Sequence, residues 1–194
     1  MVSLDRALLE RVITGDEAAL TELVRLFLPS LYRFVKLLVQ DHDLTEDIVQ
    51  ETWVKIWRSL DRYNTERPFA TWAFTIAKNT ALDVLRKKSP LPLAALSEAQ
   101  EEYITASVPS IEADIITLLE KEEGVRKLDQ ALEQLSPEYQ LVLSLCYREE
   151  LTLHEIAAVT GIGYNTIKSQ HQRALKKLRQ ILDPASVPAT HSYN

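Results

Sequence analysis

The chain has 194 residues, a formal net charge of −6 and a single cysteine, Cys146. One cysteine excludes an internal disulfide, and no apolar run reaches membrane-spanning length or follows a signal-peptide pattern, so we expect a cytoplasmic protein with no membrane insertion. Four glycines and long amphipathic stretches with almost no β-branched alternation predict an all-α protein.

The negative charge is unevenly distributed along the chain. Residues 58–88 have 7 basic and 3 acidic side chains, and residues 151–194 have 5 and 2. Residues 89–150, between them, have 4 basic and 13 acidic side chains. Because local charge decides where a polyanion docks, the two basic segments are candidates for nucleic-acid binding.

Four helices are predicted in the first half of the chain. The first is short, opens at Ser3 or Asp5 and ends before Gly15, which is a plausible stop. The second is capped by Asp16 and runs to residue 40. We expect it to be interrupted or kinked at Pro29, because proline cannot supply the backbone donor of a continuous helix.

The third helix, EDIVQETWVKIWRSL, follows Asp43 and Thr45 and is amphipathic. A turn of 100° per residue gives an inward face of Ile48, Val49, Thr52, Trp53, Ile56 and Trp57. The outward face consists of Asp47, Gln50, Glu51, Val54 and Arg58. An exposed valine among acids and amides is either a chance occurrence or a contact for a protein partner's helix.

The fourth helix, FATWAFTIAKNTALDVLRKK, is predicted to begin at Pro68 and to carry two distinct stripes. The inward stripe is Phe69, Ala73, Ile76, Ala77, Thr80 and Val84. The second stripe is Trp72, Thr75, Asn79 and Arg86, and the preceding loop adds Arg62, Tyr63, Asn64 and Arg67. A stacking plane, amide groups and basic side chains suit unstacked bases, although Trp72 fits equally well as a core residue at the stripe's margin.

The pattern of helices is interrupted over residues 90–110, where prolines and acids predict a flexible acidic linker. We therefore expect two small helical domains, residues 1–89 and residues 111–183. In the second domain, the run from Ser136 to Glu138 supplies a cap, a first-turn proline and an acid for a new helix. Residues 184–194 have no apolar face and are predicted to be a disordered tail.

The second domain contains the spacing of a helix-turn-helix. Ala157 is small enough for two helices to approach closely, Gly161 can take the positive φ of the turn, and Ile167 returns the second helix to the core. Upstream, Thr152 and Glu155 have the spacing of a capping box, so we expect the first helix to begin at residue 153.

The second helix of this motif is predicted to begin near Asn165 or Thr166 and to present a polar face. That face consists of Thr166, Ser169, Gln170, Arg173 and Lys177, whose hydroxyl, amide and guanidinium groups can reach base edges in a major groove. Lys168, Lys176 and Arg179 flank it for phosphate contacts. The inward side consists of Ile167, His171, Ala174 and Leu178.

Three stretches together resemble bacterial sigma factors of the extracytoplasmic-function group of the sigma-70 family: DIVQETWVKIW, DRYNTERPFATWAFTIAKNTALDVLR and LTLHEIAAVTGIGYNTIKSQHQRALKKLR. The resemblance covers nearly the whole chain except the linker and tail. It implies that two helical domains bind core RNA polymerase and recognise separate promoter elements, so that the protein starts transcription at a specific set of genes.

The resemblance also implies roles for single residues and partners. Asp47, Gln50, Glu51 and Val54 would bind the clamp helices of the polymerase β′ subunit. The loop and the second stripe of the fourth helix would read and open the minus-ten element. Asn165, Thr166, Lys168, Ser169, Gln170, Arg173 and Lys177 would read the minus-thirty-five element, with the β flap as a further polymerase contact. Promoter DNA places the protein at the nucleoid, and an anti-sigma factor is a candidate regulator.

Two positions depart from the pattern of that family. Asn165 stands where glycine is usual, and asparagine can cap a helix or tolerate positive φ. His171 stands where an apolar residue is usual. For this histidine we favour a half-buried neutral imidazole that hydrogen-bonds to backbone over a metal ligand or a pH sensor.

An enzyme and a stand-alone regulator are the alternatives to the sigma factor. The four histidines are scattered, and neither a Gly-rich phosphate loop nor a metal-binding spacing is present, so we expect no enzyme activity, no metal and no cofactor. A stand-alone helix-turn-helix transcriptional regulator explains the second domain. It leaves the stripe on the fourth helix and the acidic face of the third without a role.

Overall fold

The computed structural model describes residues 6–65, 67–88 and 122–182. Within these ranges the chain forms α-helices, one 3₁₀ turn and short connections, with no strand, so the all-α prediction is confirmed. The first half contains α1 (Arg6–Ile13), α2 (Glu17–Val39), α3 (His42–Ser59), a 3₁₀ turn (Leu60–Arg62) and α4 (Phe69–Lys88). The second half contains α5 (Glu122–Leu132), α6 (Pro137–Tyr147), α7 (Leu153–Thr160) and α8 (Tyr164–Leu182).

Three of the predictions lie outside the described residues. These are the start of the first helix at Ser3 or Asp5, the linker over residues 90–110 and the tail over residues 184–194. None of the helices in the described ranges combines the length and the apolar character needed to cross a bilayer.

Helix α2 has the predicted cap, but it is not interrupted. The Asp16 carboxylate accepts hydrogen bonds from the backbone N–H groups of Ala18 and Ala19, at 2.9 and 3.1 Å. The helix then runs continuously through Pro29 to Val39, so of the two predicted alternatives, an interruption or a kink, the interruption is wrong. The apolar face of α2 is buried on both sides of the exposed proline, and this packing holds the helix together despite the missing donor.

Helix α3 begins earlier than the sequence pattern indicates. Its cap is Asp41, whose carboxylate accepts from the backbone N–H of Leu44 at 2.9 Å, so the assignment of the start to Asp43 and Thr45 is wrong. Thr45 lies inside the helix, fully buried, where its hydroxyl donates to the Asp41 carbonyl. A threonine whose hydroxyl donates to a backbone carbonyl one turn earlier is compatible with a helix interior. Thr45 is therefore not a cap, although its residue type is common at helix starts.

The starts predicted at Pro68 and after Ser136 agree with the structure to within one residue. Pro68 immediately precedes α4, and its carbonyl accepts from the backbone N–H of Trp72. Helix α6 begins at Pro137, as predicted, and the extended backbone of Ser136 (φ −64°, ψ 152°) makes the turn into it. Ser136 occupies the predicted cap position, but its side chain makes no capping hydrogen bond.

The core of the first half lies among α2, α3 and α4. Phe74, Leu31, Ile48 and Ile56 are fully buried there. Phe27 and Phe69 add an edge-to-face aromatic pair with ring centroids 5.2 Å apart. Aromatic pairs in this geometry stabilise a core by more than the burial of their surface area alone, so the packing of these three helices holds their exposed faces in fixed positions.

The two halves of the chain pack against each other. Helix α4 lies against α7 and α2 lies against α6, so that one apolar cluster contains residues from both halves, among them Phe34, Phe74, Leu141 and Ile156. A second, smaller cluster lies between α5, α6 and α8. Helical periodicity does not predict the contact between the halves, because it gives α4 a single inward face that does not include Phe74.

Charged groups continue this contact at its edge. Arg33 on α2 lies 3.7 Å from the carboxylate of Glu149, just after α6, and Arg148 pairs with Asp129. Burial lowers the pKa of Arg148 from its usual range, the nearby Arg33 guanidinium lowers it further, and Glu149 opposes both effects. The ion pair between Arg33 and Glu149 therefore joins the two halves at a point where Arg33 and Arg148 would otherwise repel each other.

Candidate nucleic-acid and partner surfaces

The turn between α7 and α8 has the geometry that the sequence predicts. Thr152 Oγ1 accepts from the Glu155 backbone N–H at 3.2 Å, and Glu155 Oε2 accepts from the Thr152 backbone N–H at 2.8 Å, so the capping box is complete. Gly161 ends α7 with φ 75°, and its N–H donates to the Ala157 carbonyl. Ile167 is completely buried. The predicted helix-turn-helix is confirmed as local geometry.

Most of the predicted polar face of α8 is accessible. The helix begins at Tyr164, one residue before the predicted start. The exposed polar and basic side chains of this face and its flanks are Asn165, Lys168, Lys176, Lys177 and Arg179. Thr166, Ser169 and Arg173 are half-buried.

Gln170 does not belong to that polar face, and its assignment to the outward side is wrong. It is 3% exposed, and its side-chain oxygen has no hydrogen-bond partner. Position 170 lies three residues after Ile167 and four before Ala174, which is the spacing of one continuous buried stripe. A glutamine at the edge of the predicted face is therefore covered by the neighbouring helices.

His171 faces inward as predicted, but its surroundings differ from the expectation. It is 4% exposed rather than half-buried. Its Nε2 lies 3.1 Å from the Tyr147 hydroxyl on α6, and the two rings stack with centroids 5.7 Å apart. The Tyr147 hydroxyl is therefore a side-chain partner of this imidazole, which the sequence did not predict. No group of three metal-binding side chains occurs among the described residues.

A second histidine and tyrosine, not predicted from the sequence, are in contact at the exposed end of the motif. The rings of His154 on α7 and Tyr164 on α8 are stacked, with centroids 4.0 Å apart and planes 10° apart. Both residues lie in the first turn of their helix and both are exposed. The only feature of the sequence that indicates this contact is the position of both residues at a helix start. It predicts the contact only when the geometry of the turn between the two helices is known.

The loop before α4 is organised by Tyr63. This side chain is 8% exposed, and its hydroxyl donates to the carbonyl of Arg67 across the loop. Burial raises the pKa of Tyr63 above its usual range. Tyr63 therefore shapes the loop from inside, and the prediction that it lies on the surface with Arg62, Asn64 and Arg67, which are exposed, is wrong.

The stripe on α4 begins next to this loop. Trp72 is half-buried and packs against Tyr63 and Phe69, with ring centroids 4.9 and 5.6 Å away, so it lies at the margin of the core while part of its surface stays exposed. Its stacking on unpaired bases stays a prediction. Further along the stripe, Thr75 is half-buried, and Asn79 and Arg86 are exposed. Because Trp72 contacts Tyr63, the loop and the start of the stripe form one continuous surface.

On α3 the outward face has the predicted composition. Asp47, Gln50, Glu51, Val54 and Arg58 are all exposed. Trp57 was predicted to be inward, which is wrong, because half of its surface is exposed.

Trp57 and Val54 border an apolar groove of about 260 Å³ between α1, α2 and α3. Its other walls include Val12, Leu20, Val24 and Leu60. An exposed tryptophan beside an exposed valine on an otherwise acidic face is typical of a surface that binds another protein.

Comparisons with known proteins match both halves of the chain. Residues 23–90 match the family model Sigma-70 region 2, and residues 126–178 match Sigma-70, region 4. The ECF RNA polymerase sigma factor RpoE of Cereibacter sphaeroides is 30% identical over 167 residues, which cover 85% of this chain and 87% of that protein. The ECF RNA polymerase sigma factor SigE of Mycolicibacterium smegmatis is 30% identical over 87% of this chain, and the match spans 65% of that longer protein.

Among solved structures, the chain resembles the sigma factor RpoE of Bartonella quintana, which was crystallised in complex with the anti-sigma factor NepR. The TM-score is 0.53 at 23% identity, over 84% of this chain and 96% of that one. At this level of identity, the similarity establishes a common fold.

Proposed function

The chain belongs to the extracytoplasmic-function group of the sigma-70 family, and we propose that it divides the work of such a factor among three separate surfaces. As a sigma factor it binds core RNA polymerase and directs promoter recognition, DNA opening and transcription initiation. The observation that carries this function is the presence of both sigma regions in one chain. Each region presents exposed polar side chains of the chemistry its role requires.

The first proposed surface is the outward face of α3, which binds the clamp helices of the β′ subunit. Asp47, Gln50 and Glu51 supply acid and amide groups for basic and polar side chains of the partner. Val54 continues this face into the apolar groove beside Trp57. An aromatic anchor beside charged groups supports binding of an amphipathic helix, because the apolar contact supplies affinity and the charges supply orientation.

The second proposed surface reads and opens the minus-ten element. It consists of the loop residues Arg62, Asn64 and Arg67 with the stripe from Trp72 to Arg86. Unpaired bases need stacking planes and amide groups to offset the cost of melting, and the exposed Asn79 and the partly exposed Trp72 supply these groups. We assign Tyr63 the positioning of this loop.

The third proposed surface reads the minus-thirty-five element through α8. Thr166, Ser169 and Arg173 would reach base edges, while Lys168 and Lys177 contact phosphates. We exclude Gln170 from this set because it is buried. The β flap of the polymerase is the protein partner proposed for the second half of the chain.

The function we propose is non-catalytic and is carried out in the cytoplasm, at the nucleoid. We also propose that an anti-sigma factor regulates the chain. This proposal is supported by the similarity of the fold to a sigma factor that was crystallised with such a partner.

The remaining alternative is a stand-alone helix-turn-helix regulator, and reconstitution distinguishes the two. A regulator binds its duplex unaided, whereas the proposed sigma factor needs core RNA polymerase. We expect the purified chain to co-elute with core polymerase and to support transcription from a promoter fragment recovered by chromatin mapping of the tagged protein. Asp47→Lys should reduce co-elution, and Glu133→Lys, the same reversal on an exposed carboxylate of the second half, should not. Unaided binding to the recovered duplex would favour the regulator.

A further inference from the structure

Lys55 lies where α3 crosses α4 and contacts both helices. Its Nζ is 2.9 Å from Oε1 of Glu51, one turn earlier on α3. The same nitrogen donates to Oγ1 of Thr80 at 3.2 Å and lies 4.0 Å from Oδ2 of Asp83, both on α4. An ammonium group has three donors, so Lys55 can serve a partner on each helix at once.

The charges continue beyond Lys55 along α4. The other carboxylate oxygen of Asp83 lies 3.9 Å from the guanidinium of Arg86. Glu51, Lys55, Asp83 and Arg86 therefore form a row of alternating sign, which we call the charge row. Its first member lies on the proposed polymerase surface and its last member lies on the proposed minus-ten surface.

We propose that Lys55 is a positioning residue that couples polymerase binding to promoter binding by exchanging its partner Glu51 for Asp83. The proposal rests on the proposed function, because it takes Glu51 as a polymerase contact and Arg86 as a phosphate contact.

The distances give the direction of the exchange. In the free protein Lys55 is 2.9 Å from Glu51 and 4.0 Å from Asp83, so its stronger attraction is to Glu51. The Asp83 carboxylate then interacts mainly with the guanidinium of Arg86, and it competes with DNA phosphates for that group. When a cation of the polymerase engages Glu51, the attraction of Lys55 to Glu51 weakens and Asp83 becomes its main partner. Arg86 is thereby released to a phosphate.

Thr80 makes the exchange possible without a large movement. Its side chain is completely buried and its hydroxyl donates to the Ile76 carbonyl, so its oxygen has a fixed position. A hydrogen bond from Lys55 to this oxygen holds the ammonium group at the helix crossing in both arrangements. The only change required is in the relative strength of the attraction of Lys55 Nζ to the carboxylates of Glu51 and Asp83, both of which are within its reach.

Coupling of this kind is reciprocal. If polymerase binding releases Arg86 to DNA, then DNA binding must release Glu51 to the polymerase by the same factor. The coupling is therefore measurable as the ratio of two affinities of the chain for core polymerase, one without DNA and one with saturating promoter fragment.

The test uses the full chain, core RNA polymerase and a promoter fragment recovered by chromatin mapping. Lys55→Met keeps the aliphatic stem and removes the charge, and it should lower the coupling ratio by about three- to fivefold. It should also make the dependence of DNA affinity on salt shallower: the magnitude of the slope of log affinity against log salt should fall by about 0.9, which corresponds to the loss of one phosphate contact. Lys55→Arg should retain the coupling, and Lys36→Met, the same change on an exposed lysine of α2, should leave it unaltered.

Measurements in a second variant, Asp83→Asn, distinguish the proposed coupling through the charge row from a purely structural role of Lys55. Asp83→Asn frees Arg86 permanently, so Lys55→Met should have no further effect on the salt slope in that background. Lys55→Met should also bind core polymerase without DNA at least as tightly as the parent, because Glu51 has lost its competitor. Weaker binding there would indicate damage to the helix crossing and overturn the proposal, as would unchanged coupling in Lys55→Met. Failure of the parent chain to bind polymerase would instead refute the proposed function.

Discussion

Gln170 lies on the same buried face of α8 as Ile167, three residues earlier, and its side-chain oxygen has no hydrogen-bond partner. An unpaired buried polar atom lowers stability, because its hydrogen bonds to water are lost on folding and are not replaced. The residue therefore weakens the domain that carries it, and the proposed DNA surface does not need it.

Gln170→Leu should raise the free energy of unfolding by about 1–2 kcal/mol, because an apolar side chain of similar size removes the unpaired oxygen. Promoter affinity of the polymerase complex should stay within about twofold of the parent value. Urea unfolding and fluorescence anisotropy measure the two quantities. Gln130→Leu, on an exposed position of α5, is the control and should give no gain in stability. A marked loss of promoter affinity in Gln170→Leu would return this residue to the DNA surface.

Arg173→Ala should weaken binding of the polymerase complex to its promoter by about ten- to a hundredfold, since one bidentate base contact is worth about 1–3 kcal/mol. Binding to unrelated DNA should change much less. Arg179→Ala, in the last turn of the same helix, serves as the comparison and should weaken both kinds of DNA alike, because it is proposed to contact phosphates only. Equal losses on both DNAs for Arg173→Ala would assign it to phosphate contacts.

Trp57→Ala should weaken binding to core polymerase by about thirtyfold, because buried aromatic anchors of protein interfaces are worth about 2 kcal/mol or more. Stability should change little, since half of the side chain is already exposed. Leu28→Ala on α2 is a matched control, because this leucine is also an exposed apolar residue. Biolayer interferometry with immobilised core polymerase gives the affinities. If both variants bind as the parent does, the apolar groove is not part of the polymerase surface.

Asn79→Ala combined with Asn64→Ala should leave duplex promoter binding within about twofold and reduce strand opening by about tenfold, since one base contact is worth about 1–3 kcal/mol. Permanganate reactivity of unpaired thymines measures the opening. A template with a pre-melted bubble should restore much of the lost transcription, because the cost of unstacking has already been met. Gln134→Ala, an exposed amide of the second half, is the control. Normal permanganate reactivity in the double variant would show that this stripe does not capture the bases.

Asp16→Asn should make the acid limb of the stability curve shallower. The backbone N–H of Ala19, followed by the side chain of Arg11, lowers the pKa of Asp16 from its usual 3.8. A carboxyl with a lowered folded pKa contributes stability above pH 3.8 that is lost as the pH falls through the folded value. Asparagine retains a capping oxygen but does not titrate.

Urea midpoints measured from about pH 7 to about pH 2.5 test this linkage. Asp47→Asn, on an exposed carboxylate of α3, is the control for the loss of one negative charge. An acid limb in Asp16→Asn as steep as that of the parent would show that other carboxylates dominate the acid transition.

The sequence alone determined the features that depend on a few neighbouring residues. The Thr152 and Glu155 capping box, the Gly161 turn and the Asp16 cap were all predicted correctly. Each of these satisfies backbone groups within one turn of a helix, or needs a positive φ at one position, so side chains far along the chain do not alter it.

Only the tertiary structure decided which residues at the margin of a helical stripe are covered. Trp57 and Gln170 both lie at such margins, and the structure exposes the tryptophan and buries the glutamine. Periodicity gives the direction of a side chain to within tens of degrees, but burial depends on whether a neighbouring helix crosses at that point.

The same reason applies to the contacts between distant segments. The hydrogen bond between His171 and Tyr147 and the packing of Phe74 against the second half both join helices that are not neighbours along the chain. No local pattern encodes such pairs, because each arises from the crossing of two helices whose relative positions are fixed by the whole core. The charge row has this origin too, since Lys55 reaches Asp83 only because α3 crosses α4 at that level.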